Sequence, residues 1–140
     1  MIVLDTNVVS ELMRPQPTPQ VETWLATQVA ADIYLTTVSE AELRHGAAIL
    51  PAGRRRDKLV KAINDMLDWD FRGRILPFDR ASAAAYALIA AARRSAGRPI
   101  SQFDCQIAAI ARSRGFVVAT HNIGDYTGCG VELIDPWRGP

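Results

Sequence analysis

The sequence predicts an α/β protein built on a mainly parallel sheet with helices over both faces. Three observations carry that expectation. Residues 2–4 and 116–120 are continuous apolar runs, the pattern of strands buried on two sides rather than one. Stretches with apolar residues at helical spacing stand between the strand candidates. Strands that alternate with helices imply βαβ units joined by right-handed crossovers, and hence a parallel sheet.

The elements follow in order. The first strand, Ile2, Val3 and Leu4, ends at Asp5-Thr6-Asn7. A short helix is expected over 8–13, then a stiff connector, because Pro15, Pro17 and Pro19 remove donors and favour extended backbone. Val21, Trp24, Leu25 and Val29 recur at helical spacing, and residues 33–36 read as a second strand. A helix over 39–50 places Ala41, Leu43, Ala47, Ala48 and Leu50 on its apolar side and stops at Pro51. Residues 54–69 form an amphipathic helix, with Leu59, Ile63, Met66 and Leu67 in one stripe.

Residues 74–78 are a third strand candidate, kept short by Pro77. Asp79 would cap a long Ala-rich helix over 80–96, with Gly97 beyond its end. Its small stripe, Ala81, Ala84, Ala85, Leu88 and Ala92, suits close approach to a sheet or a partner. Ser101 opens a helix through residue 114 with Phe103, Ile107, Ile110 and Ala111 inward. Residues 116–120 are the clearest strand and 131–134 a last short one.

The chain has 140 residues, which suits a single domain over 1–140. With 49% hydrophobic and 22% charged residues it is neither disordered nor fibrous. Sixteen Lys and Arg against 15 Asp and Glu give a net charge of +1, which excludes a uniformly basic nucleic-acid coat protein. Cys105 and Cys129 lie in no CxxC pair and near no spaced histidine, so they read as free buried thiols. The opening apolar run is too short for a signal peptide, and no run approaches a membrane span. A cytoplasmic protein without membrane attachment is expected.

Ligands of open parallel sheets bind beyond the carboxyl ends of the strands. Asp5 directly follows the first strand, and Asp125 lies five residues past the strand at 116–120. Glu42 and Asp104 fall in the first turns of their helices, on faces shared with Gly46 and Ile49, and with Ala108 and Ala111. Each acid has a plain structural explanation as well. Ser39-x-x-Glu42 reads as a capping box, Ser101-x-x-Asp104 nearly so, Asp5 as a cap and Asp125 as a turn residue. Four carboxylates converging on one sheet edge would repel unless a cation neutralised them, and all-oxygen ligands favour Mg²⁺ or Mn²⁺. Asn7, Thr120 and Asn122 stand nearby, able to orient an acid or a metal water, or simply to form turns. Asp79 is explained as a helix cap, and Glu40 points away from Glu42 toward solvent.

Four segments, in order and spacing, resemble PIN-domain ribonucleases. They are Val-Leu-Asp-Thr-Asn at 3–7, Ser-Glu-Ala-Glu-Leu-Arg-His-Gly at 39–46, Asp-Cys-Gln-Ile-Ala-Ala at 104–109 and Thr-His-Asn-Ile-Gly-Asp-Tyr at 120–126. More narrowly the chain is similar to the VapC toxins of toxin–antitoxin pairs, and residues 4–15 to their FitB-like subgroup. The resemblance implies a three-layer α/β/α fold and a magnesium-dependent endoribonuclease. It makes Asp5 and Asp104 direct metal ligands, Glu42 an acid acting through water, and Asp125 a fourth acid used more variably. Tyr126 stands where phenylalanine is commoner, a difference expected to change little. The resemblance also implies a cognate antitoxin that blocks the acidic pocket, and a homodimer or a hetero-oligomer with that antitoxin. Val8, Leu12, Trp24 and Leu25 would line the antitoxin groove or belong to the core.

RNA would be held by Arg54, Arg55, Arg56, Lys58 and Lys61, or by Arg93, Arg94 and Arg98, although either cluster reads equally as a solvated helix face. Two other readings keep the aspartate after the first strand. A HAD-type phosphotransferase wants a second acid where Asn7 stands, and a catalytic lysine where only Lys58 and Lys61 are available. A non-catalytic α/β module would bind a cation without turning over RNA.

Overall fold

The computed structural model describes residues 1–138; Gly139 and Pro140, within the expected 1–140 domain, lie outside the described residues. Five strands form one all-parallel sheet: β1 (Ile2–Leu4), β2 (Ile33–Thr36), β3 (Ile75–Leu76), β4 (Val117–Ala119) and β5 (Leu133–Ile134). Seven helices connect them: α1 (Thr6–Leu12), α2 (Pro19–Ala26), α3 (Thr37–Ala48), α4 (Arg54–Asp65), α5 (Arg80–Ser95), α6 (Gln102–Arg114) and α7 (Ile123–Tyr126). The strand order is β3-β2-β1-β4-β5. The chain therefore winds outward from β1, then returns to lay β4 against its other side. That reversal opens a crevice beyond the carboxyl ends of β1 and β4.

Alternation along the strands builds the two covering layers. Val3 and Val118 face one apolar cluster with Ala85 and Ile89 of α5 and Ile107, Ala108 and Ala111 of α6. Ile2, Leu4, Ile33 and Leu35 face the other, with Val8 and Val9 of α1, Trp24 of α2 and Ile63 of α4. The result is the expected three-layer α/β/α sandwich. Residues on both faces of the central strands are buried, so the lack of polar alternation in the sequence has its cause here.

Several local expectations need correction. The first helix begins at Thr6, because the Asp5 carboxylate caps it by accepting from Thr6 N at 2.7 Å. The second ends at Ala26, which leaves Val29 exposed. Thr36, not Ser39, caps α3, accepting from Ser39 N at 3.1 Å. The amphipathic stretch stops as an α-helix at Asp65 and passes into a wide π-type turn over Met66–Asp70. The helix α5 buries Ser82, Ala85, Ile89 and Arg93, while Ala81, Ala84, Leu88 and Ala92 stay exposed. On α3, Ala41 and Ala48 are exposed, as is Phe103 on α6. Asp79 caps α5, accepting from Ser82 N at 2.9 Å, and Glu40 pairs with Arg44 on the outer side of α3. Both cysteines are free and buried.

Candidate active site

The crevice at the end of β1 and β4 is lined by Asp5, Thr6, Asn7, Ser10, Glu11, Arg14, Glu42, Asp104 and Asn122. Asp5 is fixed first. Its amide donates to Ala119 O of β4 at 2.9 Å, which locks the residue at the strand junction. Its carboxylate is nearly buried and accepts from Thr6 N (2.7 Å), Thr120 Oγ1 (2.8 Å) and Asn7 Nδ2 (3.2 Å). Thr120 Oγ1 in turn accepts from Asn122 N at 3.0 Å, and His121 N donates to Asn7 Oδ1 at 3.4 Å. The polar residues Asn7, Thr120 and Asn122 thus form one network that orients Asp5. Burial raises the Asp5 pKa, the hydrogen bonds from Thr120 and Thr6 oppose that, and the nearby Asp104 charge adds to it.

Glu42 enters from α3. Its Oε1 accepts from Thr6 Oγ1 at 2.9 Å, and the same hydroxyl meets Ser39 Oγ at 2.8 Å. The face Glu42 shares with Gly46 and Ile49 is exposed rather than turned toward the core, so it is this hydroxyl relay that ties the acid to β1. Asp104 enters from the first turn of α6, beside buried Ala108 and Ala111. Its amide donates to the capping Ser101 Oγ at 3.2 Å, and its Oδ1 accepts from Tyr126 OH at 3.3 Å. Burial and the charges of Asp5 and Asp104 push the Tyr126 phenol far above its ordinary range.

Asp5, Glu42 and Asp104 therefore come together with Asn7 and Asn122, and Thr120 supports them from beneath. Asp125 is exposed on α7 and does not line the crevice. Three participants escape sequence reasoning, namely Thr6, which links two of the acids, and the pair Glu11 and Arg14; Tyr126, expected to matter little, donates to Asp104. Glu11 Oε2 accepts from Arg14 Nη1 at 2.9 Å, and its Oε1 accepts from Thr18 N at 3.0 Å and from Thr18 Oγ1. Those bonds lower the Glu11 pKa to about 2. Thr6 alone left a signal, since a hydroxyl directly after a strand-end aspartate is within reach of the crevice.

The donor set suits a hard divalent ion. Every candidate ligand is an oxygen, the donor type of Mg²⁺ and Mn²⁺ sites. The expected four-carboxylate cluster, however, is not gathered: among the described residues no group of three or more His, Cys, Asp or Glu is placed to hold a metal. A pair of carboxylates with the other positions left to water is how proteins commonly bind Mg²⁺, whereas Ca²⁺ and Zn²⁺ sites draw more ligands from the protein.

A family model described as PIN domain matches residues 2–124. The chain is 42% identical to the plasmid stability protein StbB of Pseudomonas syringae pv. tomato, 40% to toxin FitB of Neisseria gonorrhoeae and 39% to VapC ribonuclease Y4jK of Sinorhizobium fredii. Each match covers 99% of both chains. Among solved structures, FitAcB from Neisseria gonorrhoeae superposes with a TM-score of 0.92 at 40% identity, covering 98% of this chain and 99% of that one. VapBC-5 from Mycobacterium tuberculosis, a member of the VapBC family of toxin-antitoxin systems, follows at 0.67 and 26%, covering 94% and 95%.

Proposed function

The chain belongs to the PIN-domain family, and on that premise we propose that it is a divalent-metal-dependent endoribonuclease, the toxin of a toxin–antitoxin pair, acting as one domain over residues 1–140. The observation that carries this reading is the convergence of Asp5, Glu42 and Asp104 on one crevice at the β1–β4 reversal. The relatives named toxin FitB and VapC ribonuclease Y4jK support it.

In this reading Asp5 and Asp104 hold Mg²⁺, with Mn²⁺ as a substitute. The bound ion supplies neutralisation of phosphodiester charge and acidification of water. The residues supply the rest. Thr6, Thr120 and Asn7 restrain the Asp5 carboxylate, so its orientation is set before substrate arrives. Glu42 is held by Thr6 at the edge of the site, where its carboxylate accepts a proton from the attacking water. Asp125, set outside the crevice, serves at most as a rim contact. The partners are RNA and a cognate antitoxin covering the crevice, in a homodimer or hetero-oligomer working in the cytoplasm.

Asp5→Asn and Asp104→Asn should each abolish Mg²⁺-dependent RNA cleavage while the circular dichroism spectrum and cooperative melting persist. EDTA should abolish cleavage by the unaltered chain. Full-rate cutting by either folded variant would sink the assignment. An isolated α/β module that merely binds a cation would leave RNA intact in the same assay.

A further inference from the structure

We propose that the Tyr126 hydroxyl is a positioning group for the metal-binding acids: it engages Asp104 Oδ1 and so restrains the carboxylate that would hold the cation. The inference rests on the metal-site reading above and extends it to a residue outside the acid set. Tyr126 is buried to within 1% of complete enclosure, and its hydroxyl lies 3.3 Å from Asp104 Oδ1. Among the described residues, no other side chain donates to that carboxylate. Asp104 stands in the first turn of α6, where a lone carboxylate turns freely about its terminal bond. A single fixed donor removes that freedom and distinguishes one oxygen from the other.

The donor is itself anchored. Arg93, buried in α5, sends Nη1 to Asp125 O at 2.9 Å and to Thr127 O at 2.7 Å, the carbonyls on either side of Tyr126. Its Nε donates to Arg98 O at 2.6 Å. The guanidinium thus ties α7 to the body of the molecule through the carbonyls of the residues before and after the tyrosine. A side chain pinned from both sides and buried along its length has little choice of where to place its hydroxyl. Partners of this kind, one step removed from a metal, fix ligand geometry, and their loss commonly weakens metal affinity about 10- to 100-fold.

Tyr126→Phe keeps the ring and deletes only the donor, so it tests the bond with little disturbance to packing. Mn²⁺ affinity, read by the paramagnetic resonance of the free ion, should fall about tenfold in Tyr126→Phe. The Mg²⁺ concentration for half-maximal cleavage should rise to match, while the rate at saturating Mg²⁺ changes little. Thermal melting in EDTA confirms that the variant is folded, and Asp104→Asn serves as the reference that should lose Mn²⁺ binding. If Asp104→Asn loses Mn²⁺ and folded Tyr126→Phe binds it as the unaltered chain does, the positioning role is overturned and the metal site stands. If Asp104→Asn binds Mn²⁺ normally, the metal-site reading fails and this inference with it.

Discussion

At the scale of single residues, Glu11 shows how an acid can stand in the proposed catalytic crevice for a structural reason. Its carboxylate joins α1 to the start of α2 by accepting from Thr18, the residue preceding Pro19, and from Arg14. Those bonds hold its pKa near 2, well below the ordinary carboxylate value. A depressed folded-state pKa contributes stability above the unfolded value, which is lost as the pH falls through the folded one. Glu11→Gln should therefore lower the melting midpoint by a few degrees at pH 7, and the gap should close between about pH 4.5 and 2. Melting curves of both proteins across that range check it; a gap independent of pH would mean that the carboxylate charge contributes nothing. Asp5 behaves oppositely. Its pKa is raised by burial, so the metal-free protein gains from its protonation as the pH falls.

At the scale of elements, the strands and the periodic helices are legible in the sequence and α7 is not. The strand candidates and the long helices appear where hydrophobic runs and periodicity put them, because burial on one or two faces writes itself into the residue pattern. Asp5 and Asp104 were legible for a related reason: strand ends and first helical turns have fixed places in a parallel α/β fold. The four-residue α7 is too short to show a period, so the sequence places Asp125 only by its distance past β4 and gives Tyr126 little weight. The side chains that hold α7, above all Arg93, belong to a distant helix and sit in a cluster that reads as solvated charge. Arg93→Met should cost about 2 kcal/mol in urea unfolding, since it removes the buried guanidinium that donates to three backbone carbonyls. Arg94→Met, one residue along and exposed, should change stability by less than about 0.5 kcal/mol. Equal effects would show that the carbonyl clamp carries no weight.

At the scale of the whole molecule, a net charge of +1 conceals segregation. Asp5, Glu42 and Asp104 share one crevice, and the remaining surface carries an excess of Lys and Arg. The two basic clusters are not equivalent. Arg93 is buried with its guanidinium on backbone carbonyls, which leaves Arg94 and Arg98 as the exposed members of the second cluster. Arg55 and Lys58 of the first line a groove with Thr6, Ser10, Arg14 and Glu42, four residues that also line the acidic crevice. A strand of RNA lying in that groove would have its backbone on basic groups and a phosphodiester led toward the acids. Each phosphate contact releases counterions and adds roughly 0.7 to the salt dependence of binding for a single strand. With cleavage silenced by Asp104→Asn, replacing both Arg55 and Lys58 by Ala should weaken RNA binding and reduce the slope of log Kd against log salt by about 1.4. Arg94→Ala in the same background should leave the slope alone. Fluorescence anisotropy across a salt series separates these outcomes, and an unchanged slope in the double variant would place the RNA path elsewhere on the molecule.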